Sequence, residues 1–147
     1  MLTPPFDHER LKAYQEALRF VAWVTPVLDR LPAKVAARDQ LDRASTSIVL
    51  NLAEGNGKRS HADRCRYFDV ARGSGVECAA CLDVLRVKRL VSEEEASTGK
   101  SILLEVVAMT AGLIARFGGT AREPEGSYPE NGGIEEKEKE KEKDSRP

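Results

Sequence analysis

A chain of 147 residues with 41% hydrophobic and 5% aromatic residues has the length of one domain with an aliphatic core, and it is too poor in aromatic residues for an all-β fold. Its 23 basic and 24 acidic residues leave a formal charge of −1, which excludes a chain that is basic or acidic throughout. Three cysteines are too few for a disulfide scaffold and suit a reducing compartment.

The N-terminal stretch MLTPPFDHER has no basic segment followed by an apolar run, so no secretory signal is expected. In the first predicted helix Leu11, Tyr14, Leu18, Val21, Val24, Leu28 and Leu31 recur at steps of three or four, the helical period. Pro26 kinks this helix or marks its last turns, and Pro32 ends it. A second apolar stripe, Ala13, Ala17, Phe20, Trp23 and Val27, runs beside the first. The second helix is expected from about residue 33 to Glu54 through Leu41, Ala44, Ile48 and Leu52, with Gly55-Asn56-Gly57 as C-cap and turn. Ser60, with Asp63 three residues on, opens the third helix. That helix runs to about Lys88 through Phe68, Ala71, Cys78, Leu82 and Leu85, weakened at Gly73 and Gly75. Ser92 and Glu95 form a capping box for the fourth helix, which Gly118 closes.

No segment alternates with period two for long, and the loops are short. The expected fold is all-α, an antiparallel up-down four-helix bundle over residues 1–118. Residues 119–147 hold Gly, Pro, Ser and the run EEKEKEKEKD, and are expected to form a disordered, charged C-terminal tail. The fourth helix is apolar nearly all round from Ile102 to Ile114, but this stretch is short for a membrane span and carries Glu105. The protein is therefore expected in the cytoplasm, away from membranes. A helix apolar on every side is buried on every side. Helices one and four thus predict a homo-oligomer, with Phe20, Trp23 and Val27 at its interface.

Cys78-Ala79-Ala80-Cys81, with His61 and Cys65, mimics zinc-finger spacing. Cys65 and Cys78 would stand ~20 Å apart on one helix, too far to share a metal. Neither His8 nor His61 has Glu three residues before it, so the di-metal bundle pattern is missing. Gly55 to Ser60 lacks the first glycine and the upstream strand of a phosphate loop. No nucleophile–base constellation is recognisable, so neither an enzyme nor a cofactor is expected. The cluster Lys58, Arg59, Arg64, Arg66 and Arg72 reads either as a nucleic-acid-binding surface or as a solvated face with pairs such as Asp63–Arg66 and Asp69–Arg72. Residues 1–118 carry 17 basic and 15 acidic residues, and residues 30–89 carry 12 and 7, so the folded part is mildly basic.

RASTSIVLNLAEGNGKRS at 43–60 and YFDVARGSGVECAACLDVL at 67–85 resemble the four-helix-bundle family of proteins encoded in intervening sequences of 23S ribosomal RNA genes. The accessory variability proteins of diversity-generating retroelements are similar. The most specific elements are Gln40-Leu41, Arg43-Ala44, Ser47-Ile48, Asn51, Ala53-Glu54-Gly55 and Ala71-Arg72-Gly73-Ser74 with Glu77. Asp42 stands where a basic residue is commoner. The resemblance implies a homopentameric ring, and its retroelement members bind a reverse transcriptase and nucleic acid. From spacing, Arg43, Ser47, Asn51 and Glu54 share a face of helix two and read with Ser74 and Glu77 as a structural polar network. Glu54 is expected to reach Arg72 or to cap helix three. Gly73 and Ser74 are expected to allow close helix approach. The leading expectation is a non-enzymatic, oligomeric accessory protein that binds RNA or DNA and a reverse transcriptase; a structural or protein-partner scaffold with no nucleic-acid role is the alternative.

Overall fold

The computed structural model describes residues 5–121, with side chains to residue 118. A single turn of 3-10 helix, Asp7–Arg10, leads into α1 (Lys12–Arg30), α2 (Ala36–Asn56), α3 (His61–Val87) and α4 (Glu93–Ala121). There is no strand among the described residues. Each helix packs on its neighbour in the chain and α1 closes on α4, so the four form an antiparallel up-down bundle. The tail expected from residue 119 lies, from residue 122 on, outside the described residues.

The helix ends follow from local chemistry. At the start of α3, Asp63 donates its backbone N–H to Ser60 Oγ at 3.0 Å. At the start of α4 the capping box is complete: Glu95 N–H donates to Ser92 Oγ at 3.0 Å, and Ser92 N–H donates to Glu95 Oε1 at 3.0 Å. Arg30 of α1 pairs with the same Glu95. The end of α3 is a Schellman motif: Leu90 N–H reaches Leu85 O and Arg89 N–H reaches Arg86 O, both at 2.9 Å. Its left-handed residue is Arg89, φ 61°, rather than a glycine. Pro26 sits in the last turns of α1 and does not end it.

Several boundaries differ from the sequence expectation. α2 starts at Ala36 and runs through Gly55 and Asn56, with Gly57 as a right-handed C-cap at φ −84°. Gly118 does not close α4, which continues to Ala121. Both stripes of α1 contribute to the core, and the first loses Leu18 to solvent. Ala13, Ala17, Phe20, Val24, Val27 and Leu28 are buried, whereas Leu18 is 44% exposed. Phe20 is 0% and Val27 4% exposed in the single chain. Phe20 and Val27 of the expected interface therefore belong to the bundle core, while Trp23 is half-buried and packs against it. Both stripes have helical spacing, and the alanines let α1 approach its neighbours closely.

That approach depends on glycine. A β-carbon at Gly99 would lie 2.6 Å from the Trp23 ring and 2.7 Å from Leu82 Cδ1. One at Gly75 would lie 2.9 Å from Val107 Cγ2, whereas Gly73 faces open space. Gly75, not Gly73, is the close-approach glycine of α3. α4 directs Ile102, Leu103, Val106 and Thr110 inward, and the Thr110 hydroxyl is satisfied by Val106 O at 2.7 Å. Its outer side leaves Leu104 70% exposed, with Ala108, Ala111, Gly112 and Ala115 also exposed. The stretch Glu93–Gly118 of this helix contains an 18-residue window of mean hydropathy 1.6 and is long and apolar enough to cross a membrane by length and composition, although its inner face supplies the bundle core.

Two outcomes are expected. Gly99→Ala should destabilise by about 1–3 kcal/mol through overpacking against Trp23, while Gly112→Ala, with nothing within 4 Å of the new methyl, should be neutral or slightly stabilising; urea unfolding of both checks this. The Ser92 backbone N–H, with Arg30 beside it, holds the Glu95 carboxyl below the usual carboxylate range. A depressed carboxyl stabilises above its unfolded pKa of about 4.3 and loses that contribution as pH falls through the folded value. Glu95→Gln should thus destabilise at pH 7, by less than about 1 kcal/mol. In the same assay the difference from the parent should shrink as pH falls below the ordinary carboxylate range and vanish once Glu95 is protonated in the folded state.

Candidate nucleic-acid interface

The antiparallel order brings the end of α2, the start of α3 and the end of α4 to one end of the bundle. The N-terminal segment joins them there, through Asn56 Nδ2 donating to Asp7 Oδ2 at 2.8 Å. Four of the cations at this end lie at the turn 57–60 or in the first turns of α3. Lys58 Nζ stands 4.9 Å from the Tyr67 ring centroid. Arg59 is exposed and makes no ion pair among the described residues. Arg64 is half-buried, its Cζ 4.9 Å from the Phe117 centroid. Arg66 is exposed and pairs with Asp63 at 2.7 Å. Further along α3, exposed Arg72 pairs with Asp69 at 3.8 Å.

The five residues therefore do not act as one patch. Arg66 and Arg72 are each partly neutralised within their own helix, as the solvated-face alternative expects. Lys58 and Arg64 lie against aromatic rings, a contact that desolvates the stem and leaves the charge uncancelled. A further cation joins them that sequence reasoning missed: Arg116 of α4, its Cζ 5.2 Å from the same Phe117 centroid. His61 meets this ring edge-on at 5.1 Å, and Phe68 braces it from the core side at 6.1 Å. Arg116 was legible in principle, because an antiparallel bundle places the end of helix four beside the start of helix three.

The polar network forms in part. Ser47 Oγ and Ser74 Oγ are 2.9 Å apart across α2 and α3, and Asn51 Nδ2 donates to Ser47 O at 2.9 Å and to Ser47 Oγ at 3.1 Å. Arg43, Glu54 and Glu77 are exposed and make no hydrogen bond or ion pair among the described residues. Glu54 neither reaches Arg72, which is held by Asp69, nor caps α3, which Ser60 does.

Residues 9–112 match the family described as 23S rRNA-intervening sequence protein. The chain belongs to this family. A crystal structure of a protein of unknown function from the S23 ribosomal protein family of Bacteroides thetaiotaomicron is similar, with a TM-score of 0.64 and 21% identity over 69% of this chain and 97% of that one. At that identity the likeness speaks for the fold. No curated protein matches the chain. In this chain the serine–asparagine network joins α2 to α3, and the ring-held cations Lys58, Arg64 and Arg116 lie at one end of the bundle.

The cysteines lie away from that end or point inward. Burial pushes the Cys78 thiol up to about 12, helped by Cys81 and Glu77, and burial also raises Cys81 and Cys65. A thiol held protonated is a poor nucleophile and a poor metal ligand. Among the described residues no group of three or more His, Cys, Asp or Glu is placed to hold a metal ion.

Proposed function

We propose that this protein is a non-enzymatic, homo-oligomeric accessory protein that binds RNA or DNA through the basic end of its bundle. The observation that carries the reading is the group Lys58, Arg59, Arg64 and Arg116, cations set on aromatic rings or left without carboxylate partners. Such cations are free to displace counter-ions from phosphates. The family's description ties its members to ribosomal RNA genes, which supports RNA as the first nucleic acid to try. The resemblance of the 43–60 and 67–85 motifs to retroelement accessory proteins supports a reverse transcriptase as a protein partner. Three free thiols support a reducing cytoplasm as its compartment.

The oligomeric part rests on α4. Its exposed Leu104, Ala108, Ala111 and Ala115 continue into an apolar groove of about 190 Å³ lined by Gly75, Val76, Ala79 and Val107. Monomers rarely leave a contiguous apolar surface of this kind open. We read it as a subunit contact instead of a bilayer-facing one, and the motif resemblance supports a ring of five.

Two experiments test the reading. The triple variant Lys58→Glu, Arg59→Glu, Arg66→Glu should bind structured RNA at least tenfold more weakly at about 0.1 M salt, with a shallower log–log salt slope and unchanged helix content. Arg64 is left in place because its guanidinium packs on Phe117. Unchanged affinity would move the surface elsewhere, and no binding by the parent protein at low salt would leave the scaffold alternative. Light scattering should give a mass near five times the chain's 16.2 kDa, reduced by Leu104→Glu. A parent mass of one chain at micromolar concentration would sink the oligomer.

A further inference from the structure

Two arginines from different helices meet at one ring. Arg64 of α3 and Arg116 of α4 each place their guanidinium carbon within 5.2 Å of the Phe117 centroid. Neither pairs with a carboxylate among the described residues, and the buried Nε of Arg64 has no hydrogen-bond partner among them. Other arginines of α3 are paired, Asp63 on Arg66, Asp69 on Arg72 and Glu93 near Arg86. Arginines without a partner, such as Arg43 and Arg59, are exposed to water, whereas Arg64 is half-buried. Two like charges held on one ring repel, the more so when partly buried, and a buried donor left unpaired costs free energy. Both penalties are relieved by an anion, not by another side chain of the described bundle.

The anion's chemistry follows from the donors. Two planar guanidiniums match an acceptor that offers several oxygens in different directions, which a phosphoryl group does and a single carboxylate does not. The site also lies on the first turn of α3, where His61 and Arg64 are one turn apart. The amide dipoles there favour negative charge. A phosphodiester within a strand carries one charge, whereas a terminal phosphate carries nearly two at neutral pH. The second balances two arginines.

We propose that Arg64 and Arg116, both held on the Phe117 ring, form a clamp for the terminal phosphate of a nucleic-acid strand. The clamp rests on the reading of this end of the bundle as the nucleic-acid surface, and it adds an end preference that a general basic patch lacks. Lys58 and Arg59 then serve the adjoining internal phosphates.

The test compares full-length protein on one single-stranded RNA dodecamer carrying a phosphate at its 5′ end, at its 3′ end or at neither. A phosphate at one end should tighten binding about tenfold. That gain should vanish in Arg64→Lys, which keeps the charge and loses the fork, and in Arg116→Gln, which alters an exposed residue and leaves the fold intact by circular dichroism. The triple variant at Lys58, Arg59 and Arg66 should weaken all three strands and keep the gain. Equal affinity for the three strands, or a gain that survives both arginine variants, overturns the clamp while leaving the general surface standing. If no strand binds, the nucleic-acid reading falls, and inorganic phosphate decides the clamp by itself. A shift of the Arg64 Nε–H resonance in the parent that is lost in Arg116→Gln supports an anion site; no shift on adding phosphate overturns it.

Discussion

Gly99 has no side chain because Trp23 and Leu82 occupy the space that a β-carbon would take. This contact, with the matching approach of Val107 to Gly75, sets how near α4 lies to α1 and α3. Everything at the two ends of the bundle depends on that distance. At one end it lets Arg30 of α1 reach Glu95 of α4. At the other it carries Phe117 and Arg116 up to the first turn of α3, where His61 and Arg64 receive them. An extra methyl in the seam would push α4 outward and loosen both ends.

The two ends differ in how charge is handled. Around the α3–α4 turn several ionic groups are paired, Arg30 with Glu95, Arg86 with Glu93 at 4.0 Å and, one turn inward, Lys100 with Asp83 at 2.7 Å, while Lys88 and Arg89 extend into solvent. At the opposite end Lys58, Arg64 and Arg116 rest on rings, which brace the stems but leave the charges uncancelled. A molecule with a formal charge near zero thus carries all its ring-braced cations, among the described residues, at one end of its long axis. Net charge hides this placement, and so does a count of cations along the sequence, because Arg66 and Arg72 are counted equally with Arg64.

The four helices and the caps at Ser60 and Ser92 were legible because each rests on interactions within a few residues. The Ser47–Asn51 contact was legible for the same reason, being one helical turn. What periodicity could not decide was which residues of the two α1 stripes face inward in the first half of the helix. Leu18 and Phe20 both sit on helical repeats, and only the neighbouring helices select Phe20. The Glu54–Arg72 pairing failed because Asp69, one turn before Arg72, reaches it without bridging two helices. Gly73 and Gly75 are two residues apart, so they face different sides of α3, and their roles could be told apart only once Val107 was in place. The end of α4 was misread at Gly118 since a glycine is a stop signal only where the chain must turn.

The chain's one tryptophan is the residue that lies across Gly99. Half-buried at the seam between α1 and α4 and tilted 5.8 Å from Phe20, it is set where solvent would enter first if α1 lifted away. Its fluorescence is therefore a built-in gauge of one seam, while amide absorption averages over four helices. Where the two signals part company during unfolding, α1 has left before the α2–α3–α4 core has melted, and the bundle's cooperativity can be read from the native chain without any label.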